Sequence, residues 1–204
     1  MIKEPIYLKD IVSVDMCNYA HMGFKMHCRA LNQLNPGCLE EYGFDEKTWS
    51  LYCAPNTEAL SEYIRPIIEN AVGKKLWPTY SYGRVYGHNA ELNRHIDRRS
   101  SEYTISLCVK KDIVPWNLVI ETDNEPFSAD IQLGDGVIYS GREYYHYREG
   151  PFKGTEQTQF FLQYVDQEGD SADLKWDTRP AMGLPFEFTQ DWLREEFDQQ
   201  LKGR

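Results

Sequence analysis

His95 and Asp97 stand two residues apart in "NRHIDRRSSEYTISL" (93–107), at the mouth of an apolar, β-branched run. Imidazole nitrogen and carboxylate oxygen are both good ligands for a first-row divalent metal. At i and i+2 of an extended chain their side chains leave the same face. That pair is common without any metal, because a strand histidine is usually a hydrogen-bonded structural residue, so a third ligand has to decide. "YSGREYYHYREG" supplies His146, 49 residues after Asp97. Two imidazoles and one carboxylate on one side of an iron leave three adjacent positions open, the arrangement that non-haem Fe(II) oxygenases need.

Such a site requires strands to carry it. From Thr79 the chain takes a period of two: "TYSYGRVYG" puts Tyr80, Tyr82, Arg84 and Tyr86 on one face, with a turn at Gly87 to Asn89. "EYTISLCV", "WNLVIET", "ADIQL", "GDGVIYSG", "YYHY" and "TQFFLQYVD" follow, separated by Gly, Asp, Asn and Pro turns. Short strands so punctuated predict an antiparallel sandwich or jelly roll. Upstream, Leu60, Tyr63, Ile64, Ile67, Ile68, Ala71 and Val72 keep helical spacing. Asn56 or Thr57 would cap that helix, Pro66 would kink it and Gly73 would end it. The tail "FTQDWLREEFDQQL" reads as a capped helix with Leu193, Phe197 and Leu201 on one side. The expected architecture is mainly β with flanking helices in one domain: a helical N-terminal region over 1–75, a β-core over about 79–166 and an extension over 167–204.

Composition narrows the function classes. Lys and Arg number 22 against 32 Asp and Glu, a formal charge of −10, which repels a phosphate backbone and argues against nucleic acid as a partner. Arg94, Arg98 and Arg99 form a local basic cluster that could still attract an anionic small molecule. The five cysteines lack CxxC spacing, which speaks against a disulfide framework or structural zinc and for a reducing, cytoplasmic setting. No run approaches the ~18 apolar residues of a membrane span, so no membrane partner is expected. His21 and His27 are six apart on a helical stretch and read as structural, and His88 as a solvated turn residue.

Residues 79–166 resemble the double-stranded β-helix core of the Fe(II)/2-oxoglutarate-dependent oxygenases, nearest their prolyl-4-hydroxylase-like branch. The stretches that carry the resemblance are "YGRVYGHNAELNRHIDRRSSEYTISL", "LGDGVIYSGREYYHYRE" and "TQFFLQYVD". It implies that His95, Asp97 and His146 bind Fe(II). It further implies that O2 is consumed as 2-oxoglutarate is decarboxylated to succinate, and that an unactivated C–H bond is hydroxylated. Similar enzymes place a cosubstrate-binding tyrosine on the strand before the HxD turn, where this chain has Tyr86, with Arg84 one pleat away. Similar halogenases lack the carboxylate, so Asp97 points to hydroxylation or a related oxidation.

One position departs from the pattern. The cation that pairs with the far carboxylate of 2-oxoglutarate usually follows the distal histidine by about ten residues, and there this chain has neutral Gln157. A buried dicarboxylate left unpaired costs several kcal/mol. Arg148 is the first substitute, ahead of Arg84, Arg142 and the loop residue Lys153. Arg98, Arg99, Trp116, Tyr144 and Phe161 are candidates for the substrate pocket, whose occupant could be a small molecule, an amino acid or a peptidyl residue. Gln157 also keeps open a cupin-like metal-binding protein or isomerase that does not use 2-oxoglutarate.

Overall fold

The computed structural model describes residues 2–34 and 48–183. Its strands are β1 (Ile6–Leu8), β2 (Thr48–Tyr52), β3 (Leu76–Gly87), β4 (Tyr103–Lys110), β5 (Leu118–Ile120), β6 (Phe127–Ala129), β7 (Gly136–Tyr139), β8 (His146–Arg148) and β9 (Glu156–Asp166). Two helices, α1 (Val14–Leu34) and α2 (Pro55–Val72), precede the core. A six-stranded sheet in the order β1-β7-β4-β9-β3-β2 is complemented by a three-stranded sheet, β6-β5-β8, and every pairing is antiparallel. This is the mainly β, rolled-sheet core with flanking helices that the period-two pattern predicts.

β9 shows how the alternation builds both layers. Phe160, Leu162 and Tyr164 join the apolar cluster formed with Phe24 and Cys28 of α1 and Leu60, Ile64 and Ile68 of α2. The intervening residues Gln157, Gln159, Phe161 and Gln163 take the opposite, inward face and are also buried. A buried strand face carrying three glutamines is costly unless their amides find partners, so the interior of the roll is polar by construction. Gly83 in β3 lies directly beneath the Phe24 ring, where a Cβ would collide with it, and this lets α1 sit close on the sheet.

Several local expectations are corrected. The first third holds two strands as well as helices: β1 and β2 occupy the two edges of the large sheet. Neither Asn56 nor Thr57 caps α2. Its N-cap is Ala54 with Pro55 following, while Asn56 Nδ2 donates to Ala20 O at 2.9 Å. Gly73 does end the helix, at φ 67°, and its N–H reaches Glu69 O. Tyr63 and Ile67 face solvent rather than the sheet. The sixth strand is Phe127–Ala129, so "ADIQL" is mostly a connecting turn. The tail helix over 188–201 lies outside the described residues. Cys17, Cys28, Cys53 and Cys108 are buried and unbridged, and burial pushes the Cys108 thiol up to about 12.

Candidate metal centre and cleft

Backbone pairing brings the two histidines face to face. His95 N donates to His146 O at 3.1 Å and His146 N donates back to His95 O at 2.9 Å, an isolated antiparallel bridge beside β8. Their rings lie 4.2 Å apart between centroids. Asp97 follows in the same segment, its N–H held by Gly141 O at 2.9 Å. Its Oδ1 is 3.6 Å from His95 Nε2 and 3.7 Å from His146 Nε2. One ligand atom from each of the three can be chosen so that all lie within 4.8 Å of one another, and no other such cluster of three exists among the described residues.

The geometry favours a metal over a plain ion pair. His95 Nδ1 donates to Asn93 O at 2.7 Å and His146 Nδ1 donates to Tyr144 O at 3.0 Å. Each bond fixes the proton on Nδ1 and leaves the Nε2 lone pair directed at the cluster. Burial also holds His146 below the usual histidine range, which favours the neutral, ligating form. Thr104 Oγ1 lies 3.3 Å from Asp97 Oδ2 and 2.5 Å from the Gln163 side-chain amide. The hydroxyl donates to Gln163 Oε1 and sits against the Asp97 carboxylate. Gly141 completes the support: a Cβ there would strike both Asp97 Oδ2 and Thr104 Oγ1.

A cleft of about 410 Å³ opens over the cluster, lined by Tyr52, Tyr80, Tyr82, Leu92 and Phe161, with Arg84, Arg98 and Gln163 as its polar members. Arg98 is fixed there, donating to Asp177 Oδ2 at 2.6 Å and lying 4.0 Å over the Tyr80 ring. Asp177 belongs to a turn, Trp176 to Thr178, in which three successive non-glycine residues have φ of 54°, 57° and 63°. That conformation is costly, and it delivers the carboxylate to Arg98 and to the Tyr52 hydroxyl.

Behind the cluster lies a group of buried polar side chains with unpaired atoms. Arg148, two residues beyond His146, is fully buried; it donates to Trp116 O and stacks 4.8 Å over the Trp116 ring. Its Nε and Nη2 have no partner, and no carboxylate pairs with it among the described residues. The Tyr86 hydroxyl, both amide atoms of Gln157, Gln159 Nε2 and the Tyr139 hydroxyl are likewise buried without partners. β3 and β9 set Tyr86 opposite Gln157 and Arg84 opposite Gln159. Burial pushes the Tyr139 phenol well above its ordinary value and pulls the Arg148 guanidinium down. Native interiors leave few polar atoms unpaired; here they gather near two guanidinium groups, those of Arg148 and Arg84.

Some sequence candidates fall outside the cleft. Trp116 is buried between Tyr86 and Phe152 beneath Arg148, away from the cleft. Tyr144 points to a separate surface hollow, its hydroxyl 3.3 Å from Asp123 Oδ2. Arg99 pairs with Asp173 on the exterior, Arg94 with Glu121, and Arg142 with Glu102 and Glu143. Lys153 contacts Asn89 on the surface. His21 meets Thr158 and Glu156, as a structural histidine would. Sequence reasoning misses Tyr52, Leu92, Thr104, Gly141 and Asp177. The alternation of "TYSYGRVYG" already places Tyr80 and Tyr82 on the Arg84 face, but the others are reached only through long-range packing.

No family model and no curated relative matches this chain. Among solved structures, AviO1 from Streptomyces viridochromogenes Tue57 superposes with a TM-score of 0.61 at 14% identity, covering 82% of this chain and 91% of its own. The non-heme alpha ketoglutarate dependent epimerase SnoN from nogalamycin biosynthesis gives 0.60 at 10% identity, over 88% and 86%. A Pseudomonas putida prolyl-4-hydroxylase gives 0.54 at 13% identity, over 79% and 92%. These likenesses establish a shared fold, the double-stranded β-helix.

Proposed function

We propose that the protein is a non-haem Fe(II)- and 2-oxoglutarate-dependent dioxygenase that hydroxylates an organic substrate: a small molecule, an amino acid or a peptidyl residue. The observation that carries this reading is Arg148, an acid-free buried guanidinium among orphaned polar atoms, two residues from a His-Asp-His cluster. A metal site that only bound an ion, or a cupin-like isomerase without a dicarboxylate, would have no use for that cation. Solved structures of this fold include two described as non-heme alpha ketoglutarate dependent enzymes and a viral collagen prolyl hydroxylase in complex with 2OG, which agrees with the reading.

In this reading His95, Asp97 and His146 hold the ferrous ion through Nε2, Oδ1 and Nε2. Arg148 receives the far carboxylate of 2-oxoglutarate in place of the cation that Gln157 does not provide. The Tyr86 hydroxyl and the Gln157 amide donate to the same group, which satisfies atoms otherwise left bare. Trp116 and Phe152 are buried beside this group, so that charge-assisted bonds form away from water and gain strength. The Gly141 carbonyl holds Asp97 in register through its backbone N–H. The substrate enters from the aromatic cleft, on the open side of the cluster. Bound Fe(II) and 2-oxoglutarate together supply an O2-derived oxidant able to attack a C–H bond.

Anaerobic addition of Fe(II) and then 2-oxoglutarate tests this directly. A visible metal-to-ligand charge-transfer band is expected for the wild type and is absent in His146→Ala. Succinate release on admission of O2 separates the oxygenase from a cupin-like protein. A wild type that shows neither the band nor succinate refutes the proposal.

A further inference from the structure

We infer that the substrate of this site is a small, mostly apolar molecule carrying one negative charge, and that Arg84 is the residue that selects for the charge. The inference rests on the oxygenase reading. Two arginines line the cleft, and their surroundings differ. Arg98 is neutralised by Asp177 and fixed against Tyr80. Arg84 has no carboxylate partner among the described residues, and its Nε is buried without a hydrogen bond. Its neighbours on the inner face are neutral: Tyr82 and Tyr86 on its own strand and Gln159 across the ladder. The Tyr86 ring lies 5.0 Å from its guanidinium carbon.

Charge balance then argues for an anionic ligand. A divalent ion, the Asp97 carboxylate and a doubly charged cosubstrate leave one negative charge, which a single arginine cancels. The buried polar group offers Arg148 for that role. With Arg148 in that role, one cation facing the cleft remains unmatched, and it is Arg84. A substrate carboxylate would supply the missing partner and a two-point hydrogen-bonding geometry that suits a guanidinium. The remaining walls, Tyr52, Tyr80, Tyr82, Leu92 and Phe161, specify the rest of the molecule. Tyr52 and Tyr80 stack on each other 5.3 Å apart at 20°, with the Arg98 guanidinium 4.0 Å over the Tyr80 ring. A cleft of about 410 Å³ is in the size class of small-ligand pockets.

The test uses full-length protein loaded with Mn(II) and saturated with 2-oxoglutarate, which supports binding without turnover. Phenylacetate and its uncharged isostere phenylacetamide serve as probes, titrated by calorimetry against wild type, Arg84→Gln and Arg84→Lys. The acid should bind at least about tenfold more tightly than the amide, the scale of one charge-assisted hydrogen bond. Arg84→Gln should erase that preference and Arg84→Lys should retain part of it. Binding of 2-oxoglutarate itself, followed by quenching of tryptophan fluorescence, should persist in Arg84→Gln and vanish in Arg148→Gln. Equal affinity for acid and amide in the wild type overturns the inference. So does loss of 2-oxoglutarate binding in Arg84→Gln with retention in Arg148→Gln, because Arg84 would then be the cosubstrate's anchor. A wild type that prefers the acid but never binds 2-oxoglutarate upholds the anion site and refutes the oxygenase reading instead.

Discussion

A guanidinium sealed from water with one backbone carbonyl as its partner is expensive to fold around. Arg148 is in that position, and the cost yields a sharp expectation. Arg148→Met replaces the charge with an apolar chain of similar length against Trp116. In the ligand-free protein this should raise stability, because the desolvation of an unpaired guanidinium is no longer a cost of folding. The same substitution should abolish 2-oxoglutarate binding. Thermal melts with and without 2-oxoglutarate check both halves: the variant melts higher alone and gains nothing from the cosubstrate. A variant that melts lower in both conditions would mean that Arg148 is a structural residue. At this scale the His-Asp-His cluster is legible in one dimension, because His95, Asp97 and His146 are chemically distinctive and their spacing is visible there. Arg148 is legible through a gap, the neutral Gln157 where a cation is wanted. Gly141 and Asp177 are not. What matters about Gly141 is the side chain it lacks, and Asp177 meets Tyr52 across 125 positions of sequence.

Among the elements, β3, β4 and β9 announce themselves because each is long enough for alternation to repeat. β1 and β2, with 3 and 5 residues, offer too few periods to stand out from the helices around them. The turn after β4 has its own device. Asp112 Oδ1 accepts from Val114 N at 2.9 Å, and Oδ2 accepts from Thr155 N at 2.9 Å and Glu156 N at 3.3 Å. These backbone donors hold the carboxyl well below the usual carboxylate range. A folded-state value lower than the unfolded one stabilises the protein at pH above the unfolded carboxylate value. That contribution fades as pH falls through the folded one. Asp112→Asn keeps the shape and removes the charge. Its melting temperature should therefore trail the wild type at neutral pH and converge with it in strong acid; a gap independent of pH would assign the loss to packing. Asp112 also ties the end of β4 to the start of β9, the strand that carries Gln157 and Gln159.

For the molecule as a whole, the segment after β9 behaves as a strap. Arg179 and Glu58 form a two-point ion pair at 2.5 and 3.0 Å, both side chains essentially without exposure. Arg179 also donates to Thr79 O at 3.0 Å, which joins the strap, α2 and β3 at one point. Glu58→Ala would strand the buried guanidinium and should cost about 3–5 kcal/mol. Glu58→Leu combined with Arg179→Met should recover most of that loss, and urea unfolding of the three proteins measures both. If the single variant unfolds like the wild type, the pair contributes nothing to the fold. Because the strap also presents Asp177 to Arg98, partial loosening should disturb the cleft before the sheet. The protein has no helix, among its described residues, long and apolar enough to cross a membrane.

Both imidazoles take their tautomer and tilt from peptide carbonyls, those of Asn93 and Tyr144, and not from other side chains. Instructions written into the main chain are immune to point substitution, since any residue at those two positions presents the same oxygen. The aim of the nitrogens can therefore outlast wholesale replacement of the surrounding vocabulary, provided the hairpin geometry is kept. A lineage built this way is at liberty to remake the cleft while leaving the cluster beneath it untouched.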